Sequence, residues 1–227
     1  MNKTGRYIKK SAKRARQNHL MVHDCPVFLN NTDHLPEHID LQGVIDKINL
    51  LIPSHLCKDL DIIYVGHFSF FDETDTNAAY QSGAIYVSNV QDNNEDMLDD
   101  IIHEIAHCVE ATYPTQIYAD GDLEDDFLMR RNRLRSILKS RDYDVDKYDF
   151  LNPEYDSDFD TFLYEVVGYE RLTSLARDLF PSVYGATSLK EYWATGFEEY
   201  FIGDKKDLFL TSKLLYNKVN ELANYQE

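Results

Sequence analysis

The chain has 227 residues, 43% of them hydrophobic, with 16 Tyr and 12 Phe, which suits one large domain, or one domain with a small appendage, around an aromatic-rich core. Its charge of −17 is uneven: the first 23 residues carry seven Lys and Arg and no acid, leaving −24 on the remainder. An acidic body argues against nucleic acid as the main ligand except through the basic segment. Three widely spaced cysteines (Cys25, Cys57 and Cys108) include no CxxC pair, so no disulfide frame is expected, and no apolar run approaches the ~20 residues of a membrane span.

In chain order, residues 1–23 read as a basic arm, helical over Ile8–Arg16 and suited to an anionic surface or partner. Charge with no apolar stretch behind it is not a secretory signal, so a cytoplasmic or virion-associated protein is expected. Pro26–Leu29 is a candidate strand, and Val44–Leu51 has helical spacing that stops at Pro53. The β-branched and aromatic run Asp61–Phe71 reads as a strand, Asp72–Asn77 as a loop, and Gly83–Ser88 as a strand after a Ser-Gly turn.

Asn94 is the expected cap of a helix reaching about Ala111, with Glu95 and Asp96 in its first turn. Phe127–Arg141 reads as a basic helix and Asp142–Asp158 as an acidic, Tyr-rich excursion. Helices are expected over Phe159–Phe180, Ser188–Phe201 and Asp207 to the C-terminus. Strands early and helices late give an α+β class. The expected organisation is the arm, 1–23, and one domain, 24–227.

The helix from Asn94 contains His103-Glu104-Ile105-Ala106-His107. Residues i and i+4 share a helix face about 6 Å apart, so both imidazoles can reach one zinc ion. Glu104 then lies beside a water on that ion and can act as general base. Two surface histidines on an ordinary helix would share this spacing, but the apolar Ile101, Ile102, Ile105 and Ala106 mark a buried helix. Cys108 points elsewhere on the helix and reads as core.

Catalytic zinc takes three protein ligands, and no histidine follows His107. A third ligand downstream is therefore a carboxylate, with Glu165, Glu170, Glu191, Glu198 and Glu199 as candidates. The stretch Tyr184-Gly-Ala-Thr-Ser-Leu-Lys-Glu191-Tyr192-Trp193-Ala194 resembles the second motif of the anthrax lethal factor-like gluzincins: a tyrosine, six residues, then glutamate, two aromatics and alanine. The resemblance covers roughly residues 80–112 and 180–202.

It implies a zincin-like fold, Glu191 as third ligand of one zinc per chain, and Tyr184 as the hydroxyl that stabilises the oxyanion or donates a proton. It also makes residues 115–160 an insertion over the cleft. Where the family often carries an acid four residues past the ligand glutamate, this chain has Thr195, so another acid such as Asp100 would have to orient a histidine. Ser188-x-x-Glu191 also matches a capping box, so Glu191 could simply cap its helix. Glu165, in an apolar stretch, is the runner-up ligand.

Ala84, Ile85, Tyr86 and Val87, just before the helix, are expected as the edge strand that pairs with an extended substrate; an ordinary sheet strand is the plain alternative. The function expected is a zinc endopeptidase acting on a protein or peptide. The alternative is a structural component of a larger assembly, such as a phage virion, held through the basic arm. A weaker third reading is a toxin or immunity-linked effector.

Overall fold

The computed structural model describes Ile8 and residues 20–30, 34–74 and 76–225; the helix expected over Ile8–Arg16 lies outside them except for Ile8. The chain divides into two compact units, Met1–Thr112 and Tyr113–Glu227; the basic arm expected over residues 1–23 lies mostly outside the described residues.

The first unit is built on a five-stranded mixed sheet. Its strands are β1 (Met21–Val22), β2 (Cys25–Leu29), β3 (Ile62–Gly66), β4 (Ala78–Gln81) and β5 (Ala84–Ser88), in the order β1-β2-β3-β5-β4. β2, β3 and β5 run parallel, while β1 and β4 are antiparallel edges. β3 reads Ile-Ile-Tyr-Val-Gly and is buried throughout, as a parallel strand covered on both faces must be. Helix α1 (Leu41–Leu51) starts where the Asp40 carboxylate accepts from the Gly43 N–H at 3.0 Å and buries Leu41, Val44, Ile45 and Ile48.

Three expectations change here. The strand expected over Asp61–Phe71 ends at Gly66, and the expected loop opens with a short helix, α2 (Phe71–Thr74). Strand β4 was not anticipated, although Ser82-Gly83 announces it: their φ of 52° and 87° suit the tight hairpin turn that joins β4 to β5. Because β4 takes that position, β5 is flanked on both sides. Ala84–Val87 therefore offer no open edge, and the edge next to them belongs to β4.

The long helix α3 (Asn94–Thr112) packs on β4, β5 and α1. Its cap is Asn93, whose side-chain oxygen accepts from the Asp96 N–H at 2.9 Å. The expected cap, Asn94, instead accepts from the Asp40 N–H at 2.7 Å and ties α3 to the start of α1.

The second unit is helical: α4 (Pro114–Tyr118), α5 (Asp122–Lys139), α6 (Ser157–Thr161), α7 (Tyr169–Ala176), α8 (Leu189–Phe201), α9 (Lys205–Thr211) and α10 (Lys213–Ala223). The helix expected over Phe159–Phe180 is broken. A π-turn, Phe162–Gly168, separates α6 from α7, and Gly168 has φ +81°, a conformation that an α-helix cannot contain. The C-terminal helix is likewise split at Ser212, which caps α10 by accepting from the Leu215 N–H. No described helix is long and apolar enough to cross a membrane.

Helix α5, in the stretch read as an insertion, lies in the core of this unit and buries Leu123, Phe127, Leu134 and Leu138. Asp126 on α5 accepts from Tyr192 Oη at 2.7 Å, Ser212 Oγ at 3.0 Å and Arg130 Nε at 2.8 Å. Arg131, 1% exposed, lies over the Phe159 ring at 4.0 Å and donates to the carbonyls of Asn152 and Asp149. Burial pulls its pKa down to about 10, against the favourable charges of Asp149 and Asp156.

Arg131→Ala removes the ring contact and leaves two carbonyls without their donor, so a loss of about 3 kcal/mol or more is expected in denaturant unfolding. Arg131→Lys should recover little of it, because an ammonium cannot span both carbonyls as a planar fork does.

Candidate metal centre

In the first unit, the helix period places His103, Glu104 and His107 together on α3. The two imidazoles are half-buried with ring centres 5.1 Å apart at an interplanar angle of 75°. Glu104 is 8% exposed, a costly place for a carboxylate that serves no purpose. Ile101, Ile102, Ile105, Ala106 and Cys108 are buried on the same helix and fix its rotation.

Glu110 was not anticipated by sequence reasoning. Its Oε2 lies 3.4 Å from Nδ1 of His107, with both side chains less than a fifth exposed. A carboxylate on one ring nitrogen fixes the imidazole's orientation and leaves Nε2 as the atom that could ligate a metal. The i+3 spacing from His107 was the available signal. Asp100, suggested for this role, accepts from Gln91 Nε2 at 3.0 Å. Two imidazoles with a carboxylate behind one of them suit zinc.

In the second unit, Tyr184 opens a short 3-10 turn, Tyr184–Ala186, that packs on α8. Gly185 allows this approach: a Cβ there would lie 2.5 Å from Thr195 Oγ1. Glu191 is in the first turn of α8, where its N–H donates to Ser188 Oγ at 3.2 Å. Ser188 is thus the cap, and this bond uses the backbone of Glu191 rather than its carboxylate. Thr195 Oγ1 donates to the Glu191 carbonyl at 2.8 Å, so its hydroxyl is engaged along its own helix.

Burial pushes the Tyr184 phenol well above the ordinary range, and the charges of Glu191 and Asp160 push it the same way. It is therefore a neutral O–H donor at physiological pH. Asp160 also accepts from Tyr155 Oη at 3.0 Å and Tyr169 Oη at 3.2 Å. Glu165 is exposed on the π-turn, which accounts for an acid in an apolar stretch without a metal.

Thiol chemistry does not compete with this arrangement. Cys25, Cys57 and Cys108 are all buried. The Cys57 pKa is raised to about 12, first by burial and then by Cys108 nearby. A thiol raised in the folded state keeps its proton where the unfolded chain has lost it. Its contribution to stability is whole below about pH 9 and is lost as the pH climbs towards about 12. Native protein at pH 8 should show no fast-reacting thiol with Ellman's reagent, and all three should react once the chain is unfolded in urea.

No family model, curated protein or solved structure matches the chain, so its function is argued from the chemistry of these residues.

Proposed function

We propose that the chain is a zinc-dependent endopeptidase with a zincin-like fold. His103, His107 and Glu191 hold one zinc ion, Glu104 is the general base, and Tyr184 is a hydrogen-bond donor to the oxyanion. The observation that carries this reading is the α3 helix: two half-buried imidazoles one turn apart, one backed by Glu110, with a carboxylate between them kept 8% exposed. Glu191 and Tyr184 rest on the resemblance of the second motif and on the donor chemistry that a catalytic zinc requires.

The bound metal would supply Lewis acidity, polarising the scissile carbonyl and acidifying water. Glu104 takes the proton of the attacking water and hands it to the leaving amine. Tyr184, held as a phenol, donates to the oxygen on which negative charge develops. The outer edge of β4, packed on α3, is the place where an extended peptide could add a strand, in place of Ala84–Val87.

The deciding experiment is metal analysis of the chain purified without chelator, together with peptide cleavage before and after chelation. About one zinc per chain is expected, with activity lost on chelation and restored by zinc. A preparation that takes up no zinc would refute the site. Bound zinc with no cleavage of any peptide in a broad mixture would favour the structural-component reading.

A further inference from the structure

We propose that Tyr155 grips the substrate backbone in the peptidase site and that Asp160 is the residue that positions it. This rests on the peptidase reading and gives a role to a cluster that reading leaves unused. Asp160 lies on α6 and Tyr169 opens α7, nine residues later. In an unbroken α-helix such residues stand on opposite faces, roughly 13 Å apart along the axis. The π-turn between them and Gly168, at φ +81°, remove that obstacle, and Tyr169 Oη donates to Asp160 Oδ1 at 3.2 Å. The other oxygen, Oδ2, accepts from Tyr155 Oη at 3.0 Å. One carboxylate therefore ties the segment before α6 to the helix after the π-turn.

The same segment is fixed to the helix that carries Glu191. Arg131 holds the Asn152 carbonyl, and the next carbonyl, that of Pro153, accepts from the Leu189 N–H at 2.8 Å. That N–H is one of the free donors at the start of α8. Tyr155 and Glu191 each follow this bond by two residues. Burial raises the Tyr155 phenol first, then Asp160, then the charge of Glu191. For Tyr184 the order is burial, Glu191 and Asp160, with Tyr155 and Tyr169 adding to them. The three phenols and the Glu191 carboxylate thus lie within electrostatic reach of one another.

Tyr155 is 54% exposed, so core packing does not account for holding its hydroxyl in place. Its proton is committed to Asp160, and what its oxygen still offers is lone pairs. Tyr184 is the donor of the pair. An acceptor and a donor complement the N–H and C=O that every peptide unit carries. Tyr155 accordingly accepts a backbone N–H of the substrate while Tyr184 faces the scissile carbonyl. Asp160 touches neither; it fixes the direction of the Tyr155 proton.

The test uses the full zinc-loaded chain and a peptide that the parent cleaves, taken from the broad mixture. Tyr155→Phe keeps the ring and should raise KM about tenfold with kcat within about twofold, as for one lost hydrogen bond to the substrate. Asp160→Asn leaves one acceptor oxygen for two phenols and should raise KM as well. In the double variant the two increases should not multiply, because Asp160 acts through Tyr155. Peptides in which single N–H groups away from the scissile bond are replaced by ester oxygens should reveal one position where Tyr155→Phe no longer matters. Parental kinetics in Tyr155→Phe would overturn the proposal. KM increases that multiply, or a Tyr155→Phe penalty that persists on every ester analogue, would overturn it too. A lowered urea midpoint in Asp160→Asn with parental KM would make Asp160 a structural residue and refute its positioning role. If Asp160→Asn does not fold, Tyr155→Phe and the ester series still decide. Failure of the peptidase reading shows separately, in the parent chain, as no zinc or no cleavage, and takes this assignment with it.

Discussion

Glu104→Gln is expected to keep its zinc and lose peptide hydrolysis by at least about a hundredfold, because an amide cannot take a proton from water. The substitution is nearly isosteric, so the packing of a residue only 8% exposed is retained. It also removes a buried negative charge, which should leave stability unchanged or slightly raised. A variant that hydrolyses peptide at the parent rate would remove Glu104 from the mechanism. A variant that loses its zinc would instead mean that Glu104 helps to hold the metal. Glu110→Gln makes the contrast: it weakens the grip on one ring nitrogen of His107, so zinc affinity should fall by about 10–100-fold before any effect on saturated activity.

The helix carrying His103 and His107 was legible because amphipathic spacing and motif spacing share one period. The buried positions Ile101, Ile102 and Ile105 and the two histidines all follow from the same 3.6-residue repeat. What failed was information not written locally. Strand β4 is four residues with the burial of a half-covered edge, and only the Ser82-Gly83 turn marks it. Missing it turned β5 into an edge. The break at Gly168 was hidden because a single glycine inside an apolar stretch is compatible with a helix until its φ of +81° is seen. The burial of Ile8 was illegible for a different reason: nothing in a lone isoleucine among seven cations announces that it packs with Ile62, Tyr64 and Ala84.

Glu191→Ala and Tyr184→Phe should separate into a metal defect and a rate defect. Glu191→Ala removes one of three proposed ligands, so zinc affinity should fall by more than about a hundredfold, beyond what loss of an orienting residue causes. The helix should survive, because Ser188 is the cap and bonds to the backbone N–H of residue 191, a bond that alanine keeps. A stability loss on the order of 1 kcal/mol with zinc retained would reduce Glu191 to a capping residue. Tyr184→Phe keeps the ring on its turn and removes only the hydroxyl. Zinc content should stay at one per chain, and kcat should fall by about 10²–10³-fold with KM little changed, as for loss of one oxyanion donor. Since burial and the charges of Glu191 and Asp160 hold the phenol well above its ordinary range, the parent pH–rate profile should carry no limb from Tyr184 at neutral pH. Glu165→Ala, exposed on the π-turn, is the internal control and should change neither zinc nor rate. Zinc lost in Glu165→Ala but kept in Glu191→Ala would move the ligand to residue 165 and take away the ground for placing Tyr184 at the oxyanion.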